Sequence, residues 1–266
     1  MRNLLRRHCK IYLGRRRMRV DAYLALHGFA DSRERAKKMI EEGRVSVNGV
    51  VISKPSKDIL DSDSVDIKTA ERYEYVSRGG YKLEAALEHF GIEVCGLTCA
   101  DLGASSGGFS DCLLCRGAKK IYAVDCGSGQ LAKKLREDER VVSIENTNAR
   151  FIDSELFGEK VDIAVMDLSF ISQTLVFPAV SKILKDGGLL VSLIKPQFEV
   201  GKSGVGKNGI VKNEKFRAQA VEKVVENARL FGLFSRGVTD SPIKGGDGNV
   251  EYLAVFDFNQ SVIQGE

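Results

Sequence analysis

Beyond residue 97 short apolar runs alternate with amphipathic stretches to the end of the chain, and this pattern limits the fold more than any other feature. Strands are expected at 97–102, 120–124, 141–145, 161–166, 188–194, 234–238 and 252–258. Helices are expected at 108–116, 130–135, 175–184 and 214–231. Repeated strand–helix units bury both faces of a sheet, which predicts an α/β fold with a doubly wound, mostly parallel, seven-stranded sheet. No helix separates the last two strands, so they should close one edge as an antiparallel hairpin.

A smaller module precedes this part. Val20, Tyr23 and Leu24 mark one helix face, and Gly28 ends that segment. Asp31 or Ser32 caps a second helix over 33–42, with Ala36, Met39 and Ile40 on its apolar side. A strand at 44–47, the turn Asn48-Gly49 and a returning strand at 50–52 form a hairpin, and a further strand is expected at 64–67. The polar stretch at 69–76 reads as the linker. The expected organisation is a basic extension at 1–17, an α+β module at 18–68, the linker, and the large domain at 77–266.

Charge is unevenly placed. The chain has 266 residues and a formal net charge of +4. Residues 1–17 hold Arg2, Arg6, Arg7, Lys10, Arg15, Arg16 and Arg17 with no acid, so the folded body itself is slightly acidic. Two readings of this arm stay open: a nucleic-acid contact, or a mis-set start, since Met18 directly precedes the first patterned helix. Hydrophobic residues at 43% and charged residues at 29% fit a globular protein. No apolar run approaches the roughly 18 residues that span a bilayer, so no membrane partner is expected. Six irregularly spaced cysteines without an export signal suggest a reducing cytoplasm.

The first large-domain strand runs into Asp101-Leu102-Gly103-Ala104-Ser105-Ser106-Gly107-Gly108-Phe109. Such a turn lets a ligand approach the backbone at a helix N-terminus. Its spacing departs from the Gly-x-Gly-x-x-Gly of dinucleotide folds and fits S-adenosylmethionine better. Asp125, at the second strand's tip, suits the ribose hydroxyls of either cofactor. Asn146 to Arg150 follow the third strand, with Asn148 the candidate beside the adenine. Cofactor contacts are therefore expected from Asp101, Gly103, Ala104, Ser105, Gly107, Gly108, Phe109, Asp125, Asn148 and Asp167.

Asp167 ends the fourth strand and Lys195 the fifth, so both should face the crevice at the strand tips. Glu251 begins the last strand, and Lys82 lies upstream in Ser77-Arg78-Gly79-Gly80-Tyr81-Lys82-Leu83. A lysine after an apolar central strand, partly desolvated and near a second cation, can act as a base. Lys195 is expected to be that base for a ribose hydroxyl, with Lys82 supplying the second positive charge and Asp167 and Glu251 orienting the two ammonium groups.

Two resemblances sharpen these expectations. Arg19-Val20-Asp21, Ser32-Arg33, Ala36, Ile40, Gly43 and Val45-Ser46-Val47-Asn48-Gly49 resemble the ribosomal-protein S-four-type RNA-binding domain. That likeness implies that the second helix and the following turn lie on structured RNA. The candidate RNA contacts are Arg19, Arg33, Lys37, Arg44 and Arg78. The whole chain resembles the TlyA family, which joins such a domain to an FtsJ-like, S-adenosylmethionine-dependent methyltransferase. Ser77-Arg78-Gly79-Gly80, Lys82-Leu83, 101–111, Asp125, 167–172, 195–199 and 245–251 carry that likeness in order. The family's Lys-Asp-Lys-Glu tetrad falls on Lys82, Asp167, Lys195 and Glu251. The resemblance implies 2′-O-methylation of cytidine in ribosomal RNA, with ribosomal subunits as partners and no metal. Residues 1–17 depart from the family's usual start.

Competing readings are a non-enzymatic RNA-binding or assembly protein, a membrane-active haemolysin as the family's other name suggests, and base N-methylation. The last generally uses a Pro-Pro-aromatic turn, unlike Asp167-Leu168-Ser169-Phe170. Residues 201–208 nearly spell a phosphate-binding loop, yet Asn208 lacks the hydroxyl that would hold Mg²⁺. A loop touching RNA phosphate is the preferred reading of that stretch. Cys95, Cys99, Cys112 and Cys115 could suggest zinc, but buried thiols are the better expectation.

Overall fold

The computed structural model describes residues 17–30, 32–60, 62–67, 74–201 and 204–262. Asp31, residues 1–16 and most of the expected linker lie outside the described residues. The chain divides between Glu74 and Tyr75 into two compact units.

In the first unit β1 (Arg17–Arg19) leads into α1 (Val20–Leu26) and α2 (Arg33–Glu41). Then come β2 (Val45–Val47), β3 (Val50–Val51), β4 (Asp58–Leu60) and β5 (Val65–Ile67). Ser32 caps α2 by accepting the Arg35 N–H at 3.1 Å. Asn48 and Gly49 turn β2 into β3 with φ of 50° and 80°, as a type I′ turn requires. Val20, Leu24, Ala36, Ile40, Val45 and Ile59 make the core. Antiparallel pairing of β1 with β4 was not expected, and it draws Arg17 out of the supposed extension. Strands of three residues with charged neighbours show no readable period.

The second unit opens with α3 (Gly79–His89), β6 (Thr98–Leu102), α4 (Gly108–Cys115) and β7 (Lys120–Val124). It continues through α5 (Lys133–Arg136), β8 (Val141–Ile144), α6 (Ser154–Phe157), β9 (Val161–Met166) and α7 (Phe177–Ile183). It ends with β10 (Leu184–Ile194), α8 (Pro196–Glu199), α9 (Glu214–Arg229), β11 (Leu233–Asp240) and β12 (Tyr252–Phe258). The seven-stranded order is β11-β12-β10-β9-β6-β7-β8. β6 to β10 pair in parallel, while β12 runs antiparallel to both β10 and β11, so the expected edge hairpin is present. α3 was not anticipated, because Gly79-Gly80 at its start reads as a loop. The helix expected at 130–135 shrinks to α5.

Alternation along each strand divides the core. Cys99, Ile121, Val165, Val191 and Val255 pack on one side with Leu83, Phe109 and Leu113 of α3 and α4. Ala100, Tyr122, Ala164, Leu190 and Phe256 pack on the other with Phe177, Val180, Val224 and Ala228 of α7 and α9. From β6 the chain builds outward through β7 and β8, then returns to β9 on the opposite flank. The carboxyl ends of β6 and β9 therefore form the switch point where such sheets hold ligands.

Candidate active site

The turn after β6 is built for close approach. Gly103 adopts φ +86°, and a Cβ there would lie 2.6 Å from the Asp167 carbonyl oxygen. Gly107 adopts φ +91°, and a Cβ there would overlap Leu135. Both positions thus need glycine for conformation and for space. The Asp167 N–H donates to the Leu102 carbonyl at 3.1 Å, which keeps the two strand tips side by side.

A cleft with about 710 Å³ of empty space opens over these tips, walled by Lys82, Gly103, Ser105, Phe109, Asp167 and Lys195 among others. Ala104 and Ser105 also border a second, much smaller hollow, which Asp125, Gln130 and Glu145 complete. Asp125 accepts the Ser105 N–H at 2.8 Å and the Gly127 N–H at 2.7 Å. The carboxylate is thereby fixed at the rim of β7.

Asp101 lies elsewhere. Strand alternation turns it beneath α4, fully buried, where one oxygen accepts the Ser110 N–H at 2.9 Å and the Ser110 hydroxyl at 2.7 Å. Its other oxygen is buried without a hydrogen bond among the described residues. Burial, abetted by the nearby charge of Asp167, pushes its pKa up to about 7 against the opposing Ser110 hydrogen bonds. Asp101 anchors the first turn of α4 and does not wall the cleft.

The four expected catalytic residues form two ion pairs. Lys82, on α3, donates to Glu251 Oε2 at 2.5 Å, and both side chains are buried. Lys195 Nζ lies 2.6 Å from Asp167 Oδ1, an ion pair whose geometry falls short of a hydrogen bond. The hydrogen bond from Lys195 goes to Ser169 Oγ at 2.9 Å. Lys82, Asp167 and Lys195 reach the cleft wall, while Glu251 is held behind Lys82. Arg78, placed among the RNA contacts, borders the same cleft.

Asn148 does not wall either hollow. Its Oδ1 accepts the Arg150 N–H at 3.1 Å and so caps the short 3₁₀ turn Ala149–Phe151. In the first unit the expected RNA contacts are tied to acids. Arg19 and Arg33 converge on the buried Asp21, at 2.8 and 3.3 Å. Lys37 pairs with Glu34 at 2.7 Å, and Arg44 pairs with Glu42 and Glu74. Of these, Arg44 is the most covered.

Ser169, Ser77 and Gln130 border the site without having been singled out. Ser169 had a usable signal, since it stands two residues beyond a strand-tip aspartate. Ser77 and Gln130 reach the site only through tertiary folding. Cys99 and Cys112 are buried, and burial raises both thiols to about 12. Cys95 and Cys115 are exposed, which corrects the expectation that all four are buried. Residues 202 and 203 of the near phosphate-binding stretch lie outside the described residues, and its described part enters a 3₁₀ turn at Lys207–Gly209. Among the described residues, no helix is long and apolar enough to cross a membrane.

A doubly wound sheet with a glycine turn at its switch point and paired Lys–Asp and Lys–Glu side chains defines a methyltransferase of the FtsJ-like class. Residues 75–258 match the FtsJ-like methyltransferase family, and residues 18–65 match the S4 domain. The chain is 46% identical to the Mycobacterium tuberculosis 16S/23S rRNA (cytidine-2′-O)-methyltransferase TlyA, over 90% of this chain and 89% of that protein. It is 44% identical to Hemolysin A of Brachyspira hyodysenteriae, over 90% and 99%. A solved structure from Streptococcus thermophilus, provisionally described as a hemolysin, superposes with a TM-score of 0.70 at 42% identity, covering 91% of this chain and 89% of that one. The chain belongs to the TlyA family.

Proposed function

We propose that this protein transfers a methyl group from S-adenosylmethionine to the 2′-hydroxyl of a cytidine in ribosomal RNA. The observation that carries this reading is the Lys195–Asp167 ion pair at the tip of the central strands, beside a glycine turn and backed by Lys82–Glu251. The base and the atom modified come from the name of the M. tuberculosis relative.

The residues present fit the cofactor. Gly103 walls the cleft with its backbone and has no room for a Cβ beside the Asp167 carbonyl, and the fixed Asp125 carboxylate keeps lone pairs free for ribose hydroxyls. Gly103, Ala104, Ser105, Gly108 and Phe109 would hold the methionine end. When bound, the cofactor supplies an electrophilic methyl group on a sulfonium. With the cofactor in place, Lys195 in its neutral amine form would take the proton of the 2′-hydroxyl as that oxygen bonds the methyl carbon and the bond from that carbon to sulfur breaks. Asp167 stabilises the resulting ammonium, and Ser169 fixes the direction of Nζ. Lys82, locked by Glu251, holds a positive charge at the cleft wall where the ribose oxygen becomes electron-rich.

Arg78 at the cleft, with Arg19, Arg33, Lys37 and Arg44 in the first unit, is the proposed RNA-contacting set. The internal acids orient these side chains and leave some N–H groups for phosphate. This reading carries a cytoplasmic setting and ribosomal subunits as partners. It is tested by incubating the protein with S-adenosylmethionine and ribosomal RNA, then digesting to nucleosides for mass spectrometry. 2′-O-methylcytidine is expected. A methylated base, or no methyl incorporation, contradicts the proposal.

A further inference from the structure

We infer that Glu199, at the end of α8, is a positioning residue that latches the segment carrying Lys195 to the loop carrying Asp167. This inference rests on the methyltransferase reading of the site and concerns residues that the pair does not include.

The β9–β10 ladder ends where Met166 pairs with Ser192. Asp167, Ser169 and Lys195 all lie beyond the last rung, where backbone pairing no longer fixes one loop against the other. Glu199, four residues past Lys195, bridges that gap. Its Oε2 accepts the Ser172 hydroxyl at 2.5 Å, and its Oε1 accepts the Gln173 N–H at 2.8 Å. Ser172 and Gln173 close the loop that opens at Asp167. The Gln173 side chain in turn accepts a hydrogen bond from Ser192 of β10.

Glu199 is only 5% exposed, far more buried than an ordinary glutamate. Its charge is met by Lys223 of α9, whose Nζ lies 3.6 Å from Oε2 and donates to the Glu199 carbonyl at 2.8 Å. A buried carboxylate with three partners from two other segments holds its own segment in one place. Here that segment starts at Lys195, and the loop it grips starts at Asp167. Loss of the grip would let the lysine and the carboxylate drift apart while the glycine turn and Asp125, on β6 and β7, stayed as they are.

The test is steady-state methyl transfer to ribosomal RNA by the full chain, with S-adenosylmethionine affinity measured separately by calorimetry. Glu199→Ala should lower kcat by about 10- to 100-fold, the scale of a misplaced reacting group. The RNA KM and the cofactor affinity should stay within about twofold of the parent. Glu199→Gln keeps an acceptor for the Gln173 N–H and should recover most of kcat. Ser172→Ala removes one grip only and should lower kcat by a few fold with KM unchanged, which keeps the test valid if Glu199→Ala fails to fold. Unchanged kcat in Ser172→Ala and Glu199→Ala overturns the latch. So does a loss shared equally with cofactor affinity, or one that Glu199→Gln does not relieve. If the parent protein itself transfers no methyl group, the proposed function fails, not the latch.

Discussion

Lys82 and Glu251 are both buried, so neither has water to fall back on when its partner is lost. Removing one member of such a pair commonly costs more than the pair itself contributes, about 3 kcal/mol or more. Lys82→Ala should therefore lower the unfolding free energy by about 3 kcal/mol in urea titrations. The double change Lys82→Met with Glu251→Leu should recover most of that stability without restoring methyl transfer. A single change costing under about 1 kcal/mol would mean that the pair is well solvated. Asp101 gives a second test. Its folded pKa is near 7 because it is buried, against about 3.9 for an unfolded aspartate. Between those values the unfolded chain has released the proton that the folded chain keeps, so this group's contribution to stability is full below about pH 4 and lost as pH rises to about 7. Asp101→Asn should flatten the fall in stability across that window. Urea midpoints at pH 5 and pH 8 that fall equally in both proteins would contradict the assignment.

At the scale of elements, the glycine turn between β6 and α4 is the piece with least room for change. Gly103→Ala meets both a left-handed backbone and the Asp167 carbonyl, so it should destabilise the fold by at least about 1 kcal/mol. It should also weaken S-adenosylmethionine binding at least tenfold in calorimetry, because the shifted turn walls the cleft, and unchanged affinity would contradict its place in the cofactor site. This turn was legible in the sequence because its signal is local: small residues between a strand and a helix, with Asp125 at the next tip. Asp167 and Lys195 were legible for a related reason, since strand ends in a parallel sheet point to one crevice. Asp101 was misread because motif spacing does not tell which face of β6 a side chain takes. α3 was missed because its first turn is Gly79-Gly80, and Arg78 before it provides no side-chain cap. Glu199 was passed over because its meaning lies wholly in Ser172, Gln173 and Lys223, which are brought to it from elsewhere. The sequence reads Arg19, Arg33 and Arg44 as RNA contacts; that Asp21 and Glu74 engage them is visible only once the chain is folded.

At the scale of the whole molecule, the cores of the two units share no residue. Residues 75–262 should then fold alone and bind S-adenosylmethionine as the full chain does. Their RNA KM should rise, with a shallower salt dependence, because the phosphate-contacting residues of the first unit are gone. Equal KM values for fragment and full chain would remove the first unit from RNA recognition.

The central claim is that Lys195, held against Asp167, takes the ribose proton. Single-turnover methyl transfer with saturating S-adenosylmethionine, comparing the parent with Lys195→Ala, tests it most directly. The predicted result is a rate at least about 100-fold lower in the variant, with cofactor affinity and thermal midpoint close to the parent. A variant that is well folded and transfers methyl at the parental rate would contradict the account.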